Sequence, residues 1–299
     1  MTLWLMSPNF NGHRMTKPAL VVITGPTASG KTTFALEIAK EYNGEIVCAD
    51  SRTVYKGMDI GTAKPTIQEQ ASVPHHLLDV VEPSQIFTAS QFKDMANQAI
   101  VDIAQRGKLP ILVGGTGLYV DAVIFDYQFG EPADPQRREF LMGKSIEELQ
   151  HICKENNITL PFNSKNKRHL IRAIELNGLP TAKRELRKNT IVVAISTETD
   201  VLLQKIHKRV VEMFKDGVVQ EEQKLGEKYG WGTEAMTANI YRFCHEILIG
   251  HISEVEAIDL VVKSDKSLVK RQLTWLKRNP YIRWGTPNEL RSLIAEFLM

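Results

Sequence analysis

A chain of 299 residues with 43% hydrophobic content is long enough to bury a substantial core, as one large domain or a domain with an insertion. A formal net charge of +2 excludes attachment to nucleic acid by overall charge, so any such affinity must come from local clusters of Lys and Arg, nearly all of them in the second half. Cys48, Cys153 and Cys244 are an odd number, widely spaced and without a Cys-x-x-Cys pair, which argues against a disulfide framework or a zinc site and for reduced thiols. No run approaches the ~18 apolar residues of a membrane span. The opening MTLWLMSPNF lacks the basic region and the length of a signal peptide. The expectation is a soluble, cytoplasmic protein with no membrane partner.

In chain order, Met15 stands just before the first strand, and residues 1–14 read as an extension with no structural role. ALVVITG (19–25) is a continuous apolar run closed by glycine, the pattern of a strand buried on both faces of a parallel sheet. The helix that follows places Phe34, Ala35, Ile38, Ala39 and Tyr42 on one face, and Asn43-Gly44 stops it. EIVCAD (45–50) is a second buried strand. Phe92, Met95, Ala96, Ala99, Ile100 and Ile103 recur at helical spacing up to Gly107, and LPILVGG (109–115) is a third strand. After about residue 126 the chain becomes polar and turn-rich with short helical pieces, until TIVVAIS (190–196) returns as a strand and the remainder reads as mostly helical. The fold class expected is α/β: a P-loop NTPase-like parallel sheet formed by 15–126 plus 190–299 with C-terminal helices, carrying a small helical insertion domain over 127–189.

Ligands of such sheets bind at the carboxyl ends of the strands, and each of the first three strands ends in a motif. GPTASGKT (Gly25, Pro26, Thr27, Ala28, Ser29, Gly30, Lys31, Thr32) fits the phosphate-loop pattern with a strand before it and a helix after it. Its glycines let backbone N–H groups curl round an anion, the helix N-terminus adds partial positive charge, Lys31 reaches the phosphates, and Thr32 is placed to ligate Mg2+. The loop calls for a diphosphate or a triphosphate without choosing between them. Asp50, where the second strand runs out, has three readings: holding Mg2+ through water, taking a proton from a nucleophile, or capping a turn. GGTGLY (114–119) brings the hydroxyl of Thr116 to the same edge on a flexible turn.

GPTASGKT, DSRTVYKGMDIGTAKP, PHHLLDVVEPSQIFTASQF, LPILVGGTGLY and KRQLTW together resemble the motifs of the tRNA dimethylallyltransferase (tRNA isopentenyltransferase) family, over most of the chain from about 19 to 285. The resemblance implies transfer of a five-carbon allyl group from dimethylallyl diphosphate to the exocyclic 6-amino group of the adenine 3′ of the anticodon, in tRNAs reading U-initial codons, with Mg2+. It implies that the loop holds the donor's diphosphate, that Asp50 is the general base, that Thr116 lies near the substrate adenine, and that Arg209 meets the diphosphate.

The tRNA anticodon stem-loop is the implied partner of a protein expected to be monomeric. Unstacking its target base requires cations for the backbone and groups that meet splayed bases. The expected contacts are Asp50, Ser51, Arg52, Thr53 and Thr116 at the strand ends, Arg138, Arg168, His169 and Arg172 in the insertion, the basic tract at 183–188, and Tyr241, Arg242, Lys270 and Arg271 near the C-terminus. Four departures from the family pattern bear on tRNA grip. Arg168-His169 stands in place of paired basic residues, Ile240-Tyr241 in place of Gly-Tyr, and Arg242-Phe243 in place of a basic residue and Gln or Glu; the insertion is also shorter than usual. The rival readings are an adenylate isopentenyltransferase acting on free AMP, ADP or ATP, which would need neither KRQLTWLKR nor an insertion, and a small-molecule kinase, which leaves DSRTVYKGMDIGTAKP unexplained. A third is an RNA-binding protein with a decayed nucleotide fold. Intact Lys31, Thr32 and Asp50 argue against it.

Overall fold

The structure, a computed structural model, describes residues 17–130, 134–161, 163–178 and 185–299. Residues 1–14 and the start of the 183–188 basic tract, Lys183 and Arg184, lie outside the described residues. The apolar runs form strands β1 (Leu20–Thr24), β2 (Gly44–Cys48), β4 (Leu109–Gly114) and β5 (Thr190–Ile195), all but the first residues of β4 and β5 closed to solvent. Two further strands were not legible. β3 is only His75–His76, and β6 (Ile282–Gly285) is IRWG, with its two middle residues exposed, so neither presents an apolar run. All six pair in parallel in the order β3-β2-β4-β1-β5-β6.

That order positions the site. β1 is central, β4 is hydrogen-bonded to it, and β2 is hydrogen-bonded to β4, with Thr24 opposite Gly114 and Cys48 opposite Val113. Three segments far apart in sequence therefore end side by side at one edge. The join is tight: a Cβ on Gly114 would lie 2.0 Å from the Ala49 carbonyl oxygen, so only glycine allows β4 to close against the chain leaving β2.

Helix α1 (Lys31–Glu41) follows the phosphate loop and buries Phe34, Ala35, Leu36, Ile38 and Ala39 against the sheet. It ends at Tyr42, and Asn43 stops it in the left-handed conformation (φ 50°); Gly44, expected to stop the helix with it, is instead the first residue of β2, where a side chain would strike Ile111 and the Leu109 carbonyl. After the short helix α2 (Ile67–Ser72), α3 (Ala89–Gln105) starts on a reciprocal cap between Thr88 and Gln91 and buries Phe92, Ala96, Ile100 and Ile103, leaving Met95 exposed. α4 (Gly117–Ile124) follows β4.

By compactness the chain divides into two units, one running to Val120 and resuming at Leu186, the other spanning Asp121–Glu185. The second unit holds α5 (Pro135–Met142), α6 (Ile146–Glu155) and α7 (Lys167–Glu175). They pack round their own core of Leu141, Leu149, Cys153, Leu170, Ile171 and Ile174. α5 begins within the stretch that read as turn-rich, because Asp134 caps it and Pro135 is acceptable at the first helical position.

In the first unit the remaining helices are α8 (Thr199–Lys215), α9 (Val218–Tyr229), α10 (Asn239–Leu248), α11 (Glu254–Leu276) and α12 (Pro287–Leu298), with a 3-10 turn at Ala235–Thr237. α8 to α11 share an apolar core with Val54, Tyr55 and Met58, whereas α12 joins α1 on the other core with β1, β2, β4 and β5. Cys48, Cys153 and Cys244 are free and buried. No helix among the described residues is long and apolar enough to cross a membrane.

Candidate active site

Beyond β1 the loop 25–30 turns back on itself, with Ser29 N–H donating to the Pro26 carbonyl at 3.3 Å, Ala28 at φ 61° and Gly30 at φ 88° just before α1. A non-glycine residue in the left-handed region is costly, on the order of 1 kcal/mol, and such strain gathers at ligand sites. The Ser29 hydroxyl is buried without a hydrogen-bond partner among the described residues. An unpartnered buried hydroxyl in a loop that leads into a helix N-terminus is what an oxyanion or its counter-cation would satisfy.

The adjacent strand ends complete a cleft of about 280 Å3, a ligand-sized space. Lys31 and Thr27 line it from the loop, Asp50, Ser51 and Arg52 from the end of β2, and Thr116 from the end of β4. Arg209 of α8 and Asp265, Arg271 and Gln272 of α11 face it from the helical layer, with Asn239 and Ile240 from α10. Lys31 Nζ donates to the Pro26 carbonyl at 3.2 Å. Desolvation pulls its pKa from 10.5 down to about 8, partly opposed by the Asp50 carboxylate and reinforced by the Arg209 guanidinium. Lys31, Arg52, Arg209 and Arg271 therefore share the cleft with the carboxylates of Asp50 and Asp265.

Several contacts set the orientation of these groups. Asp50 accepts the Arg52 N–H at 2.8 Å, and Thr116 Oγ1 accepts the Ser51 N–H at 3.1 Å, which joins the ends of β2 and β4. Arg209 donates to Asp265 at 3.0 Å, while Asp265 also accepts from Asn239 at 3.3 Å. The Arg209 Nε is buried without a partner among the described residues. Gln272 bridges the two central motifs: its Oε1 accepts the Thr27 N–H at 2.9 Å, and its Nε2 donates to the Gly115 carbonyl at 3.1 Å. Gln272 and Asp265 had no role in the sequence reading. Gln272 does sit in the quoted KRQLTW run, but nothing local shows that an amide there meets a loop 245 residues away.

Other expected residues lie elsewhere. Thr32 is half-exposed on the first turn of α1. Tyr241 is 1% exposed and donates its hydroxyl to Glu221, and Thr53 is buried, so the expectation of surface contacts to RNA is corrected for both. Arg187, in the 183–188 tract, is likewise buried and donates to the Pro18 carbonyl at 2.8 Å. Arg52 lines the cleft but is also tied to the 3-10 turn, donating to the Glu234 carbonyl at 2.9 Å and to Thr237 at 3.2 Å. Arg242 is exposed with its guanidinium 4.7 Å from the centre of the Phe243 ring, and Lys270 is exposed on α11. In the second unit Arg138 and Arg172 both pair with Glu175 at 3.1 Å, Arg172 also donates to the Phe129 carbonyl, and Arg168 and His169 are exposed at the start of α7.

A parallel sheet whose central strand runs into an anion-binding loop, with a carboxylate and a hydroxyl on the adjacent strand ends, defines a phosphate-loop α/β protein that handles a phosphorylated ligand. The family is more specific than the fold. Residues 53–279 match the model of the IPP transferase family. A tRNA dimethylallyltransferase of Bacillus velezensis is 36% identical over 284 residues, 90% of each chain. Another, from Desulforudis audaxviator, is 39% identical over 286 residues, covering 89% of this chain and 91% of the relative. The crystal structure of the full-length tRNA isopentenylpyrophosphate transferase of Bacillus halodurans superposes with a TM-score of 0.73 at 35% identity, covering 94% of this chain and 96% of that one. The chain belongs to the IPP transferase family.

Proposed function

We propose that this protein transfers a dimethylallyl group from dimethylallyl diphosphate to the exocyclic 6-amino group of the adenine 3′ of the anticodon, in tRNAs that read U-initial codons, acting as a cytoplasmic monomer. What carries the reading is the convergence on one cleft of a desolvated Lys31, a free edge of Arg209 and the Asp50 carboxylate. Departure of diphosphate from an allylic carbon needs positive charge at the leaving oxygen. Attack by an adenine amino group, whose lone pair is delocalised, needs a proton acceptor.

In this reading the backbone N–H groups of the 25–30 loop and Lys31 hold the diphosphate, and Arg209, held by Asp265, offers two donors to its oxygens. The 6-amino nitrogen bonds to the allylic carbon as the carbon–oxygen bond to diphosphate breaks. The amino proton passes to Asp50, and the diphosphate leaves as an anion. Thr116, tied to the Ser51 N–H, sits beside Asp50 where the base enters.

The oxygen donors present also fit Mg2+, which takes hydroxyl, carboxylate, phosphate and water oxygens and keeps few protein ligands. Thr32 and Asp50, directly or through water, would hold it, and the unpartnered Ser29 hydroxyl adds an oxygen nearby. When bound, Mg2+ neutralises diphosphate charge. The tRNA grip is assigned to the exposed cations Arg138, Arg168, Arg242, Lys270 and Arg271 with His169 and the half-buried Arg172, and the insertion is assigned to the anticodon stem-loop.

The test is incubation of the purified protein and Mg2+ with dimethylallyl diphosphate and either an anticodon stem-loop ending in three adenines or AMP, followed by mass measurement. A gain of one C5H8 unit on the stem-loop supports the proposal. Prenylation of AMP alone replaces it with the adenylate reading.

A further inference from the structure

Glu221 stands in the first turn of α9, outside the cleft just described, yet its carboxylate gathers a segment that lines that cleft. Its Oε2 accepts the backbone N–H groups of Asp59 at 3.0 Å and Ile60 at 2.8 Å, and its Oε1 accepts that of Gly61 at 2.9 Å. The Tyr241 hydroxyl donates to Oε1 at 2.7 Å. Successive backbone N–H groups that converge in this way form an anion-binding concavity. Here the anion is the protein's own side chain.

The arrangement leaves little freedom. A Cβ on Gly61 would lie 2.6 Å from the Tyr241 ring, so the absence of a side chain at 61 is what lets that ring close on the segment. Burial and the adjacent Glu221 carboxylate push the Tyr241 hydroxyl far above its usual pKa, so it remains a donor. Gly61 and Thr62 then face the cleft, as do Asn239 and Ile240 immediately before Tyr241. One carboxylate and one phenol thus tie together two stretches of cleft wall, neither of which is the phosphate loop.

We propose that Glu221 and Tyr241 are positioning residues for the acceptor: they hold Gly61–Thr62 against the start of α10 in the geometry that receives the base, and they leave donor binding untouched. The proposal rests on the prenyl-transfer reading above. It also accounts for a tyrosine at 241 that is enclosed in the protein and so offers no face to RNA.

The measurement is steady-state transfer with the anticodon stem-loop and dimethylallyl diphosphate varied separately. Glu221→Gln keeps the size of the side chain but turns one acceptor oxygen into an N–H2 group. The Tyr241 hydroxyl can rotate to accept from it, yet at least one backbone N–H loses its acceptor. The expected result is a rise of about tenfold in KM for the stem-loop with KM for the donor within about twofold. Tyr241→Phe keeps the carboxylate on all three amides and should raise the stem-loop KM by about threefold; it decides the matter alone if Glu221→Gln does not fold. A parallel rise in both KM values, or an unchanged stem-loop KM in the active variants, overturns the positioning role. Wild-type protein that prenylates neither stem-loop nor AMP overturns the transfer reading, and this proposal with it.

Discussion

The cleft at the strand ends and the surface of the Asp121–Glu185 unit both carry clustered cations, but the two clusters are built differently. In the cleft, Lys31 is partly desolvated and shares its space with Asp50 and Arg209. In the helical unit, Arg138 and Arg172 share Glu175, while Arg168 and His169 are exposed at the start of α7. Desolvated charge interacts strongly with a reacting group, and solvated charge is screened within roughly 10 Å at ordinary salt. The first kind suits a change in bonding and the second suits holding a polyanion. Mutations in the two places should therefore alter different observables.

The sharpest way to break that contrast is Asp50→Asn, which keeps the acceptor for the Arg52 N–H but removes the proton acceptor at neutral pH. Single-turnover transfer should fall by roughly a hundredfold to ten-thousandfold, with tRNA affinity changing less. Recovery to near the wild-type rate on raising Mg2+ would reassign Asp50 from base to metal holder.

Lys31→Ala should cut turnover by about a hundredfold or more through lost charge stabilisation. The same residue predicts a pH dependence. Because desolvation lowers its pKa to about 8, the free protein loses this charge as pH rises through about 8, and affinity for diphosphate should fall there. Calorimetry of pyrophosphate binding near that pH, in buffers of different ionisation enthalpy, should register proton uptake. Unchanged transfer by Lys31→Ala removes the donor from the loop.

Arg168→Ala with His169→Ala tests the solvated side of the comparison. Stem-loop binding should weaken by about tenfold at low salt, and the slope of log affinity against log salt should flatten by roughly one unit, with kcat retained. An unchanged slope would return this helix face to plain solvation.

The smallest effect on activity is expected at Glu222, which is fully enclosed beside Trp231 and 3.7 Å from His245. Burial raises its pKa from 4.5 to about 7, the Trp231 N–H opposing in part. A carboxyl whose folded pKa is raised contributes fully below its unfolded pKa, and that contribution is lost as pH rises through about 7. Glu222→Gln should match wild type in thermal unfolding near pH 4 and exceed it by about 1–3 kcal/mol at pH 8. Equal stability at both pH values would show that the carboxyl is solvated.

Much of the chemistry was legible because it is written in short windows. The runs 19–25, 45–50, 109–115 and 190–196 announce buried strands by composition alone, and GPTASGKT carries its mechanism in eight consecutive residues. β3 and β6 were not legible, since two histidines and IRWG take strand geometry only from the neighbours that pair with them.

The side-chain partners were decided by tertiary structure. Strand order sets the ends of β1, β4 and β2 side by side, which is why Asp50 and Thr116 meet the loop at all. Packing turned Tyr241 and Arg187 inward, although a tyrosine and an arginine in polar stretches read as surface groups. The bridge from Gln272 to Thr27 and the grip of Glu221 on residues 59–61 join positions 245 and about 160 residues apart. A hydrogen bond needs its donor and acceptor within about 3 Å, and which distant groups come that close is a property of register and helix packing, which no local window of sequence contains.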